Sequence, residues 1–304
     1  MKQKQIQQPK QVKQFNIFNQ EIPEFRELLS NNNVRDYVCN TLEQVLRQLK
    51  IKDSSTAVPE ILSLAQMEAS CYERNGRQLL EGIGVIDRIP PVLSERAILV
   101  YQQIKSFIYG KSVLDLGCGD GNVGKIFATK KNLEVALADV YEHTNVIQTG
   151  LPFYRIAVDG TIPTGKQYDN TLVLTVLHHA DDPIKTLQEA KRVTKEDGRI
   201  IVIESVYGIA DNSSFGKLSE EEQRLANIFF DHFYNRVVHY NDDPPKKVNV
   251  PYNFNTPKDW KQIFEAQGLE QIAYQALGID QPIVPEYHTL HVLQKKKKVG
   301  VFSD

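Results

Sequence analysis

Residues 112–124 read Ser-Val-Leu-Asp-Leu-Gly-Cys-Gly-Asp-Gly-Asn-Val-Gly. An apolar pair, Val113-Leu114, runs into an acid, Asp115, and then into a turn carrying Gly117, Gly119, Gly121 and Gly124. A short strand followed by glycines lets a ligand lie against bare backbone, which is a nucleotide-binding design. Gly119, Gly121 and Gly124 also satisfy the spacing G-x-G-x-x-G of dinucleotide sites. Asp115 argues against that reading, because its carboxylate would repel a pyrophosphate at the turn. A cofactor with a cationic amino-acid end and no phosphate would suit it better.

Asp115-Leu116-Gly117-Cys118-Gly119-Asp120-Gly121 resembles the first motif of the class I S-adenosylmethionine-dependent methyltransferases, whose cofactor carries an ammonium and a sulfonium. Further segments resemble that family in the same order. Leu133 to Asp139 reads as a second strand ending in an acid, and Ala157-Val158-Asp159-Gly160 is similar to the third segment. Tyr168 to His179 resembles the fourth strand and the loop facing the transferred methyl, and Asp182-Pro183 with Arg192 to Val202 the helix and fifth strand after it. Asn170 and Asp197-Gly198 depart from the family pattern, at positions that do not touch the cofactor in it. The resemblance implies an α/β, Rossmann-like fold. Its sheet is mostly parallel and seven-stranded with an antiparallel last strand, and N-terminal helices and a helical lid insertion are added to it. It implies S-adenosyl-L-methionine as cofactor, held by Asp115, Gly117, Cys118, Gly119, Gly121, Asp139, Val140, Asp159, Gly160 and Thr175. In that scheme Asp139 takes both ribose hydroxyls and Asp159 reaches the adenine amine.

The chain of 304 residues is 41% hydrophobic and 24% charged, ordinary values for a globular protein with a large core. A net charge of −2 gives no general pull toward nucleic acid or an anionic membrane. Cys39, Cys71 and Cys118 are scattered, so neither a disulfide framework nor a zinc site is expected. No apolar run is long enough to span a membrane, and the N-terminus is polar, so a cytoplasmic location is expected. The expected organisation is a disordered tail over 1–20, a helical region over 21–108 and a cofactor-binding core over 109–206. A lid insertion over 207–255, core completion over 256–296 and a tail over 297–304 follow. Lys295 to Lys298 reads as a solvated end.

Tyr37 or Val38, Leu42, Val45, Leu46 and Leu49 fall at helical spacing. Pro59 suits the first turn of a second helix, with Ile61, Leu62, Leu64, Ala65 and Met67 on its apolar side. Ala97, Tyr101, Ile104 and Ile108 make a third stripe. Such helices are expected to roof the cofactor pocket or to form a homodimer surface. Ser219-Glu220-Glu221-Glu222 starts a helix, with a capping hydroxyl and acids at the positive end of the dipole. The lid is rich in aromatic and histidine residues. Asp242-Asp243-Pro244-Pro245 falls too far past the fourth strand to serve as a nucleic-acid amine signature and reads as a turn. Pro257 to Gln267 is a helix stopped by Gly268, and two strands follow, Leu269 to Leu277 and His288 to Gln294.

Methyl transfer is an in-line displacement on an activated cofactor, so alignment and exclusion of water are the main demands. Where an oxygen or nitrogen acceptor needs a base, histidine is the natural group. His179 is the first candidate, with His178, His232 and His239 behind it. No metal is expected: Glu286, His288 and His291 cluster near the last strand, but histidines three apart on a strand point to opposite faces. The favoured reading is methyl transfer to an O, N or C nucleophile of a small molecule, with no nucleic-acid or membrane partner. A peptide, protein or RNA acceptor, and a nucleotide-cofactor-binding protein of the same fold without methyl transfer, are the alternatives.

Overall fold

Val113, Leu114 and Leu116 place apolar side chains on both faces of one strand, and that strand, β1 (Ser112–Leu116), is buried along its whole length. It pairs in parallel with β2 (Glu134–Asp139) and with β4 (Tyr168–Leu174). Beyond them β3 (Phe153–Arg155) pairs with β2, and β5 (Thr194–Val206) with β4, again in parallel. On the far side β7 (Tyr287–Lys295) runs antiparallel between β5 and β6 (Leu269–Gly278). The resulting order, β3-β2-β1-β4-β5-β7-β6, is the Rossmann-like arrangement of class I methyltransferases with one reversed strand. The order switches direction at β1, which puts a crevice outside the carboxyl ends of β1 and β4. The chain is described as a computed structural model over residues 24–210, 215–281 and 283–297. The tail expected over 1–20 and the end of the chain from Lys298 lie outside the described residues.

Runs such as Leu172-Val173-Leu174 and Ile200-Ile201-Val202-Ile203 are continuously apolar because both sheet faces are covered. On one face lie α5 (Ile89–Ile104) and α6 (Asn122–Lys131), with Val100, Ile104 and Phe127 packed on Leu137 and Leu172. On the other lie α8 (Pro183–Val193) and α10 (Pro257–Ala266), with Leu187, Trp260 and Phe264 near Leu114 and Val202. The Thr256 hydroxyl accepts the Asp259 N–H at the start of α10, and Gly268, at φ +71°, ends the turn before β6. Asn170, the departure at the opening of β4, is fully buried. Its amide bonds Tyr109 and Ser112 and so fixes the chain's entry into β1.

A third core lies apart from both sheet faces. It joins α1 (Phe25–Leu28), α2 (Asn32–Gln48), α3 (Ser54–Leu64) and α4 (Ala69–Gly82) to α9 (Glu220–His232), through Val38, Leu42, Ile61, Tyr72, Phe229 and Phe230. The capping box at Ser219 forms, the Ser219 side chain and the Glu222 carboxylate each taking the other's backbone N–H. Glu222 also accepts hydrogen bonds from Asn31 and Asn33, which ties the start of α9 to α2.

The reading of α3 needs correction. Pro59 sits inside the helix rather than in its first turn, because burial of Ala57 and Val58 extends the helix back to Ser54. The carbonyl that Pro59 leaves without a donor belongs to exposed Ser55, where water can serve it. Met67 lies beyond the helix and is 47% exposed, so the stripe closes at Ala65. Ile108 likewise falls past the end of α5. No helix among the described residues is long and apolar enough to cross a membrane.

Candidate active site

The glycine turn hangs from the end of β2. Gly117 and Cys118 donate their N–H groups to the Ala138 carbonyl at 2.8 and 3.2 Å. Gly117 has φ +74°, and a Cβ there would stand 2.4 Å from a Val176 methyl, so glycine is needed for the turn to meet the loop after β4. Gly119 has φ +53° and nothing within 4 Å of a notional Cβ, so it forms the open side of the cradle. The Asp139 carboxylate accepts the Gly119 N–H at 2.9 Å and the Val140 N–H at 2.7 Å. Gly121 is left-handed at the start of α6, and Cys118 is buried in the packing beneath. Asp159 lies exposed in the turn after β3, where it accepts the Thr161 N–H and hydroxyl beside left-handed Gly160.

Asp115 is buried below the turn, and one carboxylate oxygen has no hydrogen-bond partner. Burial pushes its pKa up to about 7; the Gly124 N–H opposes this, and Asp120 and Asp139 add to it. An open glycine cradle, an acid at the end of β2 and a buried acid beneath with one unpartnered oxygen fit a cofactor with a ribose and a cationic tail.

The loop after β4 forms the second wall. Thr175 is β-branched yet left-handed, at φ +57°, a conformation that costs energy and recurs at functional sites. It is held there by its N–H to the Ile203 carbonyl at 2.6 Å and by Arg96 of α5, which donates to its hydroxyl at 3.0 Å and also to Gln281. Glu204 of β5 carries the next residues. It accepts the Val176 and Leu177 N–H groups at 3.0 and 2.7 Å, and its second oxygen is 2.6 Å from His178 Nδ1. Burial raises the Glu204 pKa to about 7, against those N–H groups. From outside, Asn249 and Asn253 donate to the carbonyls of His179 and Ala180.

The two imidazoles meet the lid. His178 is buried against the Phe254 ring, and burial holds its pKa well below the usual histidine value, with His179 adding to the effect and Asp231 opposing it. The His179 side chain is one-fifth exposed (20%) and its Nδ1 donates to the Asn249 carbonyl at 2.8 Å. Asp231 of α9 places one oxygen 3.3 Å from His179 Nε2 and 3.8 Å from His178 Nε2. Directly after α9 the backbone widens into a π-helical turn, Phe233–Val238. Such turns are frequent at functional sites. Here it brings Asn235 back onto Asp231 at 2.7 Å.

Of the four histidines expected at the site, the structure brings together only His178 and His179. His232 points away, stacked on Tyr72 and bonded to the Tyr252 hydroxyl at 2.6 Å, and burial lowers its pKa to about 3. His239 lies edge-on to Tyr234, and burial takes it to about 4. Both are neutral and weakly basic at pH 7. His288 and His291 bond Asp280 and Gln271 respectively. Sequence reading missed Arg96, Glu204 and Asp231. The last two left a trace, a single acid inside an apolar or aromatic run, Ile201-Val202-Ile203-Glu204 and Phe229-Phe230-Asp231. Arg96 left none.

The family profile described as a methyltransferase domain matches residues 93–274. The chain belongs to this family, whose fold is that of the class I S-adenosylmethionine-dependent methyltransferases. Over 126 residues it is 32% identical to an uncharacterized protein, MJ1123, of Methanocaldococcus jannaschii, a match covering 39% of this chain and 54% of the relative. A tRNA U34 carboxymethyltransferase of Campylobacter hominis is 24% identical over 149 residues, 44% of this chain and 50% of that protein. The chain thus spans about half the length of the curated relatives it matches. Among solved structures, CalO1, a methyltransferase of calicheamicin biosynthesis in its SAH-bound form, superposes with a TM-score of 0.49 at 13% identity, covering 91% of this chain and 73% of CalO1.

Proposed function

We propose that this enzyme transfers the methyl group of S-adenosylmethionine to an oxygen, nitrogen or carbon nucleophile of a small molecule or natural product. The observation that carries this reading is the meeting of the His178-His179 loop, whose Val176 lies against Gly117 of the cradle, with Asp231 of the lid. An acceptor held there is enclosed between the turn and a helical cap, which favours a small and partly aromatic one.

The cofactor supplies a methyl group already activated on a sulfonium. The chain's own residues bind, orient and shield. In this reading Asp139 would accept the ribose hydroxyls beside Gly119, Asp159 would take the adenine amine, and Asp115 would compensate the cationic tail from beneath. Arg96 fixes Thr175 as the partition between cofactor and acceptor. Residues 109–206 and 256–296 serve as the cofactor core, and 21–108 with 207–255 as its cap. A base, where the acceptor needs one, is best sought at His179, the partly exposed imidazole of the loop.

The test is incubation of the full chain with methyl-labelled cofactor and metabolite extract, followed by mass analysis. A product heavier by one methylene, formed with demethylated cofactor, supports the reading. Label transferred only to tRNA or protein would favour a macromolecular acceptor, for which the tRNA-modifying relative speaks. Retention of nicotinamide nucleotide in place of S-adenosylmethionine would overturn both.

A further inference from the structure

We infer that His178, His179 and Asp231 form a binding site for one divalent first-row transition-metal ion at the acceptor side of the crevice. Their donor atoms lie within 4.8 Å of one another. The tautomers argue for a cation more strongly than the distances do. His179 Nδ1 donates to the Asn249 carbonyl, so in the neutral ring Nε2 is a lone pair, and it faces an Asp231 oxygen 3.3 Å away. His178 Nδ1 donates to the Glu204 carboxylate, so its Nε2 is a lone pair as well, aimed at the same oxygen from 3.8 Å. Three acceptors therefore converge with no proton between the imidazoles and the carboxylate, and the one donor on that Asp231 oxygen, the Asn235 amide at 2.7 Å, satisfies neither ring. A proton would relieve one pair of acceptors; a metal ion relieves all three. Metal–ligand bonds of about 2.0–2.1 Å at tetrahedral angles separate two donors by roughly 3.4 Å, close to the 3.3 and 3.8 Å that separate the Asp231 oxygen from the two imidazoles.

The surroundings are those of a metal site. Ligating histidines commonly give their other N–H to a carboxylate or a backbone carbonyl, which fixes ring and tautomer, and Glu204 and Asn249 supply one of each. The other Asp231 oxygen is buried without a partner, on a residue only 1% exposed. Two imidazoles and a carboxylate suit zinc, iron, cobalt or nickel rather than magnesium or calcium. Three protein ligands leave at least one position open, and His179 is the ligand that reaches solvent. The open position therefore faces the crevice, where an acceptor hydroxyl, phenol or carboxylate oxygen could bind. Metal binding itself does not depend on the methyl-transfer reading; only this use of the ion does.

The full chain, freed of metal with a chelator, is titrated with Co²⁺ and with Zn²⁺ while visible absorption and calorimetry are recorded. Expected are one equivalent bound per chain and a d–d spectrum of low coordination number with mixed nitrogen and oxygen ligands. His179→Ala and Asp231→Asn should each weaken Zn²⁺ binding at least a hundredfold, and Glu204→Gln by ~10–100-fold. Calorimetry with S-adenosylhomocysteine monitors the fold: unchanged affinity in His179→Ala shows that a lost metal signal is local. Should Asp231→Asn fail to fold, His179→Ala, at a partly exposed position, decides alone. Absence of stoichiometric Co²⁺ and Zn²⁺ binding, or equal binding in His179→Ala, overturns the site and leaves His179 and Asp231 as an ion pair. Loss of S-adenosylhomocysteine binding by the wild-type chain would instead count against the methyltransferase reading and leave the metal result standing.

Discussion

Glu204 and His178 form a joint between the sheet and the loop after β4. One Glu204 oxygen takes the Val176 and Leu177 N–H groups while the other takes the His178 ring. Loop backbone and imidazole tautomer are thus set by the same buried carboxylate. Glu204→Gln keeps the shape but sets an amide N–H against His178 Nδ1–H. Turnover is expected to fall by about 10–100-fold with cofactor affinity unchanged. Opposing two donors in a buried site should also lower the melting temperature. A lowered melting temperature with normal turnover would make Glu204 merely structural.

Gly117 and Gly119 are both left-handed, yet they should respond differently. A Cβ at Gly117 meets Val176 at 2.4 Å, whereas at Gly119 it meets nothing. Gly117→Ala is expected to lower stability by about 1–3 kcal/mol. Gly119→Val should keep the fold, apart from strain of about 1–2 kcal/mol, and abolish binding of the demethylated cofactor. Calorimetry and thermal melts on the two variants separate these outcomes.

Asp139→Ala removes an acceptor from the cradle and frees the Gly119 N–H that it fixes. Charge-assisted hydrogen bonds are worth about 1.5–3 kcal/mol each. Cofactor affinity should therefore fall at least tenfold, with little change in the ligand-free melting temperature. A loss appearing wholly as instability would assign the ribose contact elsewhere.

Asp115 makes ligand-free stability depend on pH. Its folded pKa is raised to about 7 from an ordinary 3.8, so between those values the unfolded state gives up the proton first. The stability it contributes is complete below pH 3.8 and is lost as pH rises through 7. At about 1.4 kcal/mol per unit, the loss is of order a few kcal/mol. Asp115→Asn should therefore raise the melting temperature at pH 8 but not at pH 4, while weakening cofactor binding. Equal effects at the two pH values would refute the assignment.

The parallel strands of the core were legible because Asp115 to Gly121 marks the turn after β1, and the runs ending at Asp139 and before Thr175 are continuously apolar. The histidine pair was legible for the same reason. Asp231 was not, because a partner 52 residues after His179 is brought in only by the packing of α9 on α2. Its neighbour His232 looked equally suited, and only the facing of the helix divides them, one toward the loop and the other toward Tyr72. Pro59 misled because local preference placed it in a first turn, while burial of Ala57 and Val58 carried the helix past it.

Because α9 is seated mainly on the N-terminal helices, with Asn227 donating to the Val206 carbonyl at the end of β5, Asp231 takes much of its position from side chains of that separate core. Leu42 and Ile61 are fully buried in that separate core. A change of volume at either would tilt α9 like a lever and shift the carboxylate at its far end, leaving the cofactor turn untouched. Acceptor preference can therefore drift through residues of the first hundred, while donor recognition, written into β1 and β2, stays constant.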